Sequence, residues 1–317
     1  MSFGLPLRNG VSVAATSTVA LGSWSRTSVN DFRVAMPTGS TYTRAGSATA
    51  LTVAGAIQTF AADAPQRTDR GLALEPAATN LLLRSQEFDS GSYARTNIFG
   101  VTANAVVAPD GTTTADKLIA NTTNGQHRLD QTPVSSAGTQ TLSVFGVPAG
   151  YGFVTLRLGS AGSGVVFNNN TGAIVGNESG VTPLILAVAS SFYRNAVSIT
   201  GVAANAIARF NVSPTSNVTF AGDDVSGVNL WQAQLELGSV ATSPIVTTAA
   251  QASRSLPVFI EPVPVGRTKA LLTYADASTT LVTGLTPGGT FDVATAVIAA
   301  GKGQFGASEL VTRVWYP

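Results

Sequence analysis

Apolar residues in this chain recur at every second position, and that period fixes the class of fold before anything else does. From Thr141 to Val147, apolar and small residues trade places. Val154, Leu156 and Leu158 face away from Thr155 and Arg157. Tyr193, Val197 and Ile199 share one face, with Arg194, Ser198 and Thr200 on the other, and Ala208, Phe210 and Val212 oppose Arg209 and Asn211. Such runs are strands with one side toward a core and one toward water. Turn signals separate them, at Pro109-Asp110-Gly111, Asn124-Gly125 and Thr171-Gly172. No segment of helical length keeps an i, i+3, i+4, i+7 stripe between caps. The expected fold is all-β, an antiparallel sandwich of the jelly-roll kind.

One run breaks the alternation. Val228 and Leu230 lie on one parity, and Trp231, Ala233, Leu235 and Leu237 on the other. Two readings stand equal: a bulge near Leu230-Trp231 that re-aims the strand, and a strand buried on both faces.

Composition agrees with sheets whose outer faces are small and polar. Charged residues are only 11% against 44% hydrophobic, and the 317 residues include 32 Gly and 15 Pro. A net charge of +1 disfavours a nucleic-acid partner. With no cysteine, disulfides and thiolate chemistry are excluded. With one histidine, His127, a multi-histidine metal site within one chain is excluded too. The longest apolar stretch, 184–189, is far short of the ~18 residues of a membrane span. Arg8 and the interrupted apolar run 11–21 only weakly imitate a secretory signal, so synthesis in the cytoplasm without a signal peptide is expected. Gly301-Lys302-Gly303-Gln304-Phe305-Gly306 spells GxGxxG but lacks the following helix and acid, and reads as a glycine loop between strands.

Three regions are expected. Residues 1–70 are Gly/Ser/Thr-rich and weakly patterned, an arm suited to attachment. Residues 71–254 hold the strand series. After Pro257, Pro262 and Pro264, residues 255–317 form a small β unit with runs at 269–274, 279–283, 290–298 and 310–316.

Four stretches carry a likeness: 42–67, with Tyr42-Thr43-Arg44-Ala45 and Ala61-Ala62-Asp63-Ala64-Pro65-Gln66-Arg67; 71–88, with Leu74-Glu75-Pro76 and Thr79-Asn80-Leu81-Leu82; 108–118; and 228–244, with Trp231-Gln232-Ala233-Gln234-Leu235-Glu236-Leu237-Gly238. Phe192-Tyr193-Arg194 adds a fifth, weaker one. Together they resemble a module of bacteriophage tail fibres, spikes and head fibres. The resemblance implies a carbohydrate-binding-module-like jelly roll in a virion structural protein that attaches to host-surface polysaccharide. It also implies a homo-oligomer, a trimer for a tail fibre or a pentamer at a capsid vertex, contacting other virion proteins through its N-terminal region. The alternative is a purely structural decoration or adaptor without glycan binding.

Sugar sites combine an apolar wall with a few placed polar groups. Tyr93, Tyr151 and Trp231 are candidate walls; Trp231 reads better as core, and Tyr151, between Gly150 and Gly152, as exposed. His127 is either sugar-facing or, the preferred reading, an ordinary packed or surface residue, with Arg128 on the opposite face of its strand. Arg157, on the polar side of its strand, suits an acidic sugar, with solvated surface as the preferred reading. The carbohydrate-binding candidates are therefore His127, Arg128, Tyr151, Arg157 and Tyr93. Asp223-Asp224 reads first as a turn, then as the oxygen-ligand calcium site that the resemblance allows, and last, with Glu236, as a catalytic pair. No other cofactor, and no enzymatic activity, is expected.

Overall fold

The computed structural model describes residues 29–159, 164–302, 305 and 310–316. The apolar run 11–21, the start of the expected arm and residues 303, 304 and 306 of the glycine run lie outside them. Strands make up 50% and helix 3%, and every pairing between strands is antiparallel.

The sandwich occupies the middle of the chain. One sheet runs Val181–Ala187, Tyr193–Val202, Gly138–Ala149, Gly227–Leu237, Ala115–Ala120, Ile98–Val106. The other runs Ala173–Asn177, Gly164–Asn168, Phe153–Leu158, Ala208–Ser213, Asn124–Gln131, with Ala94–Thr96 and Thr219–Ala221 also paired to Asn124–Gln131. Neighbours are mostly distant in sequence, so the chain crosses repeatedly between the sheets. The alternating residues meet in one core: Leu142, Val144, Val197, Val228 and Leu235 from the first sheet, and Leu129, Val154, Leu156, Phe210 and Val212 from the second.

Gly227–Leu237 satisfies both readings of its broken alternation. Phe145 pairs with Trp231 and Ser143 with Gln234, so this strand holds one extra residue. The extra residue is accommodated at Gln232, in the left-handed region at φ 51°, one position beyond the expected bulge. Leu230 and Ala233 thereby both face the inner core, while Trp231 faces outward. The outward side is covered as well. The hairpin Ala48–Leu51/Ile57–Phe60 and Phe305 pack there against Phe145, Phe192 and Trp231, so every residue of the strand except Leu237 is buried.

The two outer regions meet each other. Phe32, Leu72 and Leu74 share a core with Phe259, Leu272, Phe291, Val311 and Val314. Val29–Asp31 and Gly71–Leu72 both pair with Val311–Trp315. The expected boundary at residue 71 therefore cuts through a sheet. The described residues before the sandwich and those after it build one terminal unit, which relieves the shortage of core that about sixty residues would face alone. A second correction lies at 290–298: only Thr290–Asp292 is strand, and Val293–Ala299 is a helix. Asp292 caps it, its Oδ1 accepting from the backbone N–H of Ala294 and Thr295, and Val293, Ala294 and Val297 are its buried stripe.

Candidate functional site

Several polar side chains of the stretches that carry the resemblance are buried inside the protein. Arg44 is 2% exposed and donates to Tyr42 Oη, Gln66 Oε1 and the carbonyls of Gly46, Phe60, Ala61 and Ala64. Asn80 meets all four of its hydrogen-bonding demands: its amide donates to the carbonyls of Ala233 and Ile245, and its oxygen accepts from the N–H of Leu82 and Leu235. Glu75 pairs with Arg254 at 2.9 Å and accepts from the Ser243 N–H and hydroxyl. Glu236 accepts from the Thr242 N–H and hydroxyl. These residues fasten the chain to itself and present nothing to a ligand.

Burial removes two of the carbohydrate-binding candidates, Tyr93 and His127, and for His127 it agrees with the preferred reading of a packed residue. Tyr93 is 3% exposed, stacked among Phe88 and Phe210, with its hydroxyl donating to the Arg84 carbonyl. His127 is wholly buried; its ring nitrogens face the carbonyls of Asn97 at 2.6 Å and Phe220 at 3.0 Å, tying the rim strands together. Tyr151 is half-buried, edge-on to Phe220 at 5.3 Å. Burial and the neighbouring Asp223 push its hydroxyl above the usual range.

Arg128 and Arg157 do share a surface, the outward face of the seven-stranded sheet. Arg128 stands opposite Asn211, and Arg157 opposite Arg209, which in turn pairs with Asp130 at 2.8 Å. This face is polar, with one carboxylate among three guanidiniums.

Asp223 forms the turn that was its first reading. Its Oδ1 accepts from the N–H of Val225 and Ser226, and the bonds from Ser226 hold its carboxyl at about 2. Among the described residues no three His, Cys, Asp or Glu side chains gather as metal ligands. Glu236 stands nine strand residues beyond Gly227, and at ~3.3 Å per residue that puts it about 30 Å from the turn, too far for a glycosidase pair.

The sandwich opens instead at one end, between its sheets. A cleft of about 390 Å³ there is lined by Pro148, Asn169, Asn170, Ser191, Phe192 and Tyr193, with Ala187 and Val188. Tyr193 begins its strand on the inner side, at the mouth, and its ring lies against Gly172. Asn169 follows the strand Gly164–Asn168 and is fixed by its N–H donating to the Gly152 carbonyl. It is 2% exposed, and neither its amide nitrogen nor its oxygen has a partner among the described residues. Asn195, one inward step beyond Tyr193, is wholly buried and equally unpartnered. Both amides crowd Gly146, where a Cβ would lie 2.5 Å from Asn169 Nδ2 and 3.4 Å from Asn195 Nδ2. Ser190 and Ser191 close the turn at the rim, both in the left-handed region at φ 59° and 62° without being glycine.

Buried amides without partners are costly, and nearly all in folded proteins are satisfied by protein or water. Of these two residues Asn169 lines the cleft with Tyr193, and Asn195 lies buried behind it. The sequence carries a trace of it in the run Asn168-Asn169-Asn170 and the nearby Phe192-Tyr193, but the inter-sheet register that joins them is not local. No protein-family model and no curated protein sequence matches the chain. No helix among the described residues is long and apolar enough to cross a membrane.

Proposed function

We propose that the protein is a structural component of a phage or phage-like virion, a fibre or spike adhesin whose sandwich holds a host-surface glycan in the cleft between Asn169 and Tyr193. The observation that carries this reading is the cleft that places the unpartnered amide of Asn169 and the Tyr193 side chain on one lining. A pyranose offers an apolar C–H face for the ring and hydroxyls for the amide. The cleft has the volume for one or two sugar units, so each site is weak. Several copies on one oligomer raise avidity through effective concentration. Binding proceeds without covalent chemistry.

Purified protein is expected to bind host polysaccharide in a glycan array or biolayer assay. Tyr193→Ala is expected to weaken that binding about tenfold, the effect of losing one aromatic wall. Asn169→Ala is expected to weaken it similarly, while Arg95→Gln, on an exposed strand, leaves it unchanged. A second reading, a decoration or adaptor that only packs on neighbours, is favoured by the fact that the resembling stretches spend several of their polar groups internally. Protein that ignores both host cells and host polysaccharide would decide for it.

A further inference from the structure

The terminal unit holds a second cleft, of about 480 Å³, remote in sequence and chemistry from the sandwich mouth. Arg33, Arg70 and Arg313 all line it, in a chain with only 18 Lys and Arg residues among 317. Arg33 and Arg313 share a single carboxylate: Asp31 lies 2.6 Å from one and 3.3 Å from the other. Arg70 has no ion pair among the described residues, and its Nη1 is closed off from water without a hydrogen-bond partner. Asp69 also lines the cleft; one of its oxygens accepts at 2.8 Å from the Val53 N–H, and its charge offsets part of that of Arg70 without a direct bond to it.

The backbone that carries Arg70 is fixed. Arg70 sits in the two-residue turn between Arg67–Thr68 and Gly71–Leu72, its N–H bonded to Thr68 Oγ1, and Leu72 is paired with Val311. Burial pushes its guanidinium below the ordinary range, so the fold holds a cation where water does not fully solvate it. A guanidinium so placed is stabilised by an anion with two acceptor oxygens on one centre, which its fork matches in plane.

We propose that this cleft binds an oxyanion, held by the part of the Arg70 guanidinium that faces the cleft, with Arg33 and Arg313 supplying the surrounding positive field. Sugar carboxylates and phosphate esters both have this chemistry. The proposal rests on residues separate from the glycan reading and survives its failure.

The test uses the full chain, titrated calorimetrically with glucuronate and, separately, with inorganic phosphate, ionic strength held constant with sodium chloride. Saturable one-to-one binding of at least one probe is expected. Glucuronate alone would mark an acidic sugar as the source, and phosphate alone a phosphate ester. Arg70→Gln is expected to weaken binding by about tenfold or more. Arg70→Lys keeps the charge but loses the fork, and is expected to weaken it about three- to tenfold with an unchanged near-ultraviolet circular dichroism spectrum. Binding of neither probe, or undiminished binding by a folded Arg70→Gln or Arg70→Lys protein, overturns the proposal.

Discussion

Gly227→Ala is expected to lower the thermal unfolding midpoint by about 10 °C, equivalent to a loss of about 3 kcal/mol or more. Gly227 begins the central strand at a point where three strands converge. It stands opposite Ile119 on one side and Ala149 on the other, and its carbonyl accepts from the Tyr151 N–H. A Cβ at this position would lie only 1.7 Å from the Leu118 carbonyl oxygen and 2.7 Å from its carbon. Those are backbone atoms of a paired strand, so no rotamer change relieves the contact. The strands must part, and Val228 and Leu118, both wholly buried, lose their packing with them. Gly100→Ala supplies the control: it lies in the edge strand of the same sheet, and a Cβ there meets nothing within 4 Å. Thermal unfolding followed by tryptophan fluorescence checks both, and equal midpoints for the two variants would refute the packing account.

The same strand shows what a sequence can and cannot disclose. Alternation exposed the sandwich because the period of two is a local property, and Val154, Leu156, Phe210 and Val212 meet in one core as that period demands. It could not tell which outer faces are covered. Arg194 lies on the polar side of its strand by parity, yet it is 1% exposed, because the hairpin Ala48–Leu51/Ile57–Phe60 and Phe305 arrive from distant parts of the chain. Its guanidinium sits 4.7 Å from the Phe305 ring centre and donates to the Thr242 carbonyl. The site was hidden for a related reason. Tyr151 stands out because two glycines flank it, whereas the cleft brings Tyr193 together with Asn169, 24 residues earlier in the chain. The joining of the outer regions leaves no trace in the sequence because a strand as short as Gly71–Leu72 has no period to read.

Glu75→Ala is expected to cost about 3–5 kcal/mol of unfolding free energy, the range for removing one partner of a buried ion pair. Glu75 and Arg254 are each 2% exposed, so the variant leaves the arginine charged in a dry interior, and the Ser243 N–H and hydroxyl lose their acceptor. The double replacement Glu75→Leu with Arg254→Met is expected to recover most of the loss, since the cost lies in the stranded charge and not in the absence of the pair. Urea unfolding measures both, and a single variant within about 1 kcal/mol of the parent would discount the pair as a fastening. The adjoining buried groups add a dependence on pH. Burial pushes Glu236 up, against the pull of Arg194, and pushes Arg194 down to about 10. A carboxyl raised in the folded state binds its proton more tightly than in the unfolded chain, so its contribution is greatest at low pH and is lost as pH rises through its folded value. Asp31 runs the other way: the bond from Arg33 holds it far below the ordinary range, and its contribution is lost on acidification. Urea midpoints should therefore rise as pH falls through the raised value of Glu236 before the loss of Asp31 turns them down, and above about pH 10 the lowered Arg194 reverses the slope. The fastening joins the entry of the sandwich at residues 74–80 to its exit at 242–254, so its loss frees both ends of the sandwich at once.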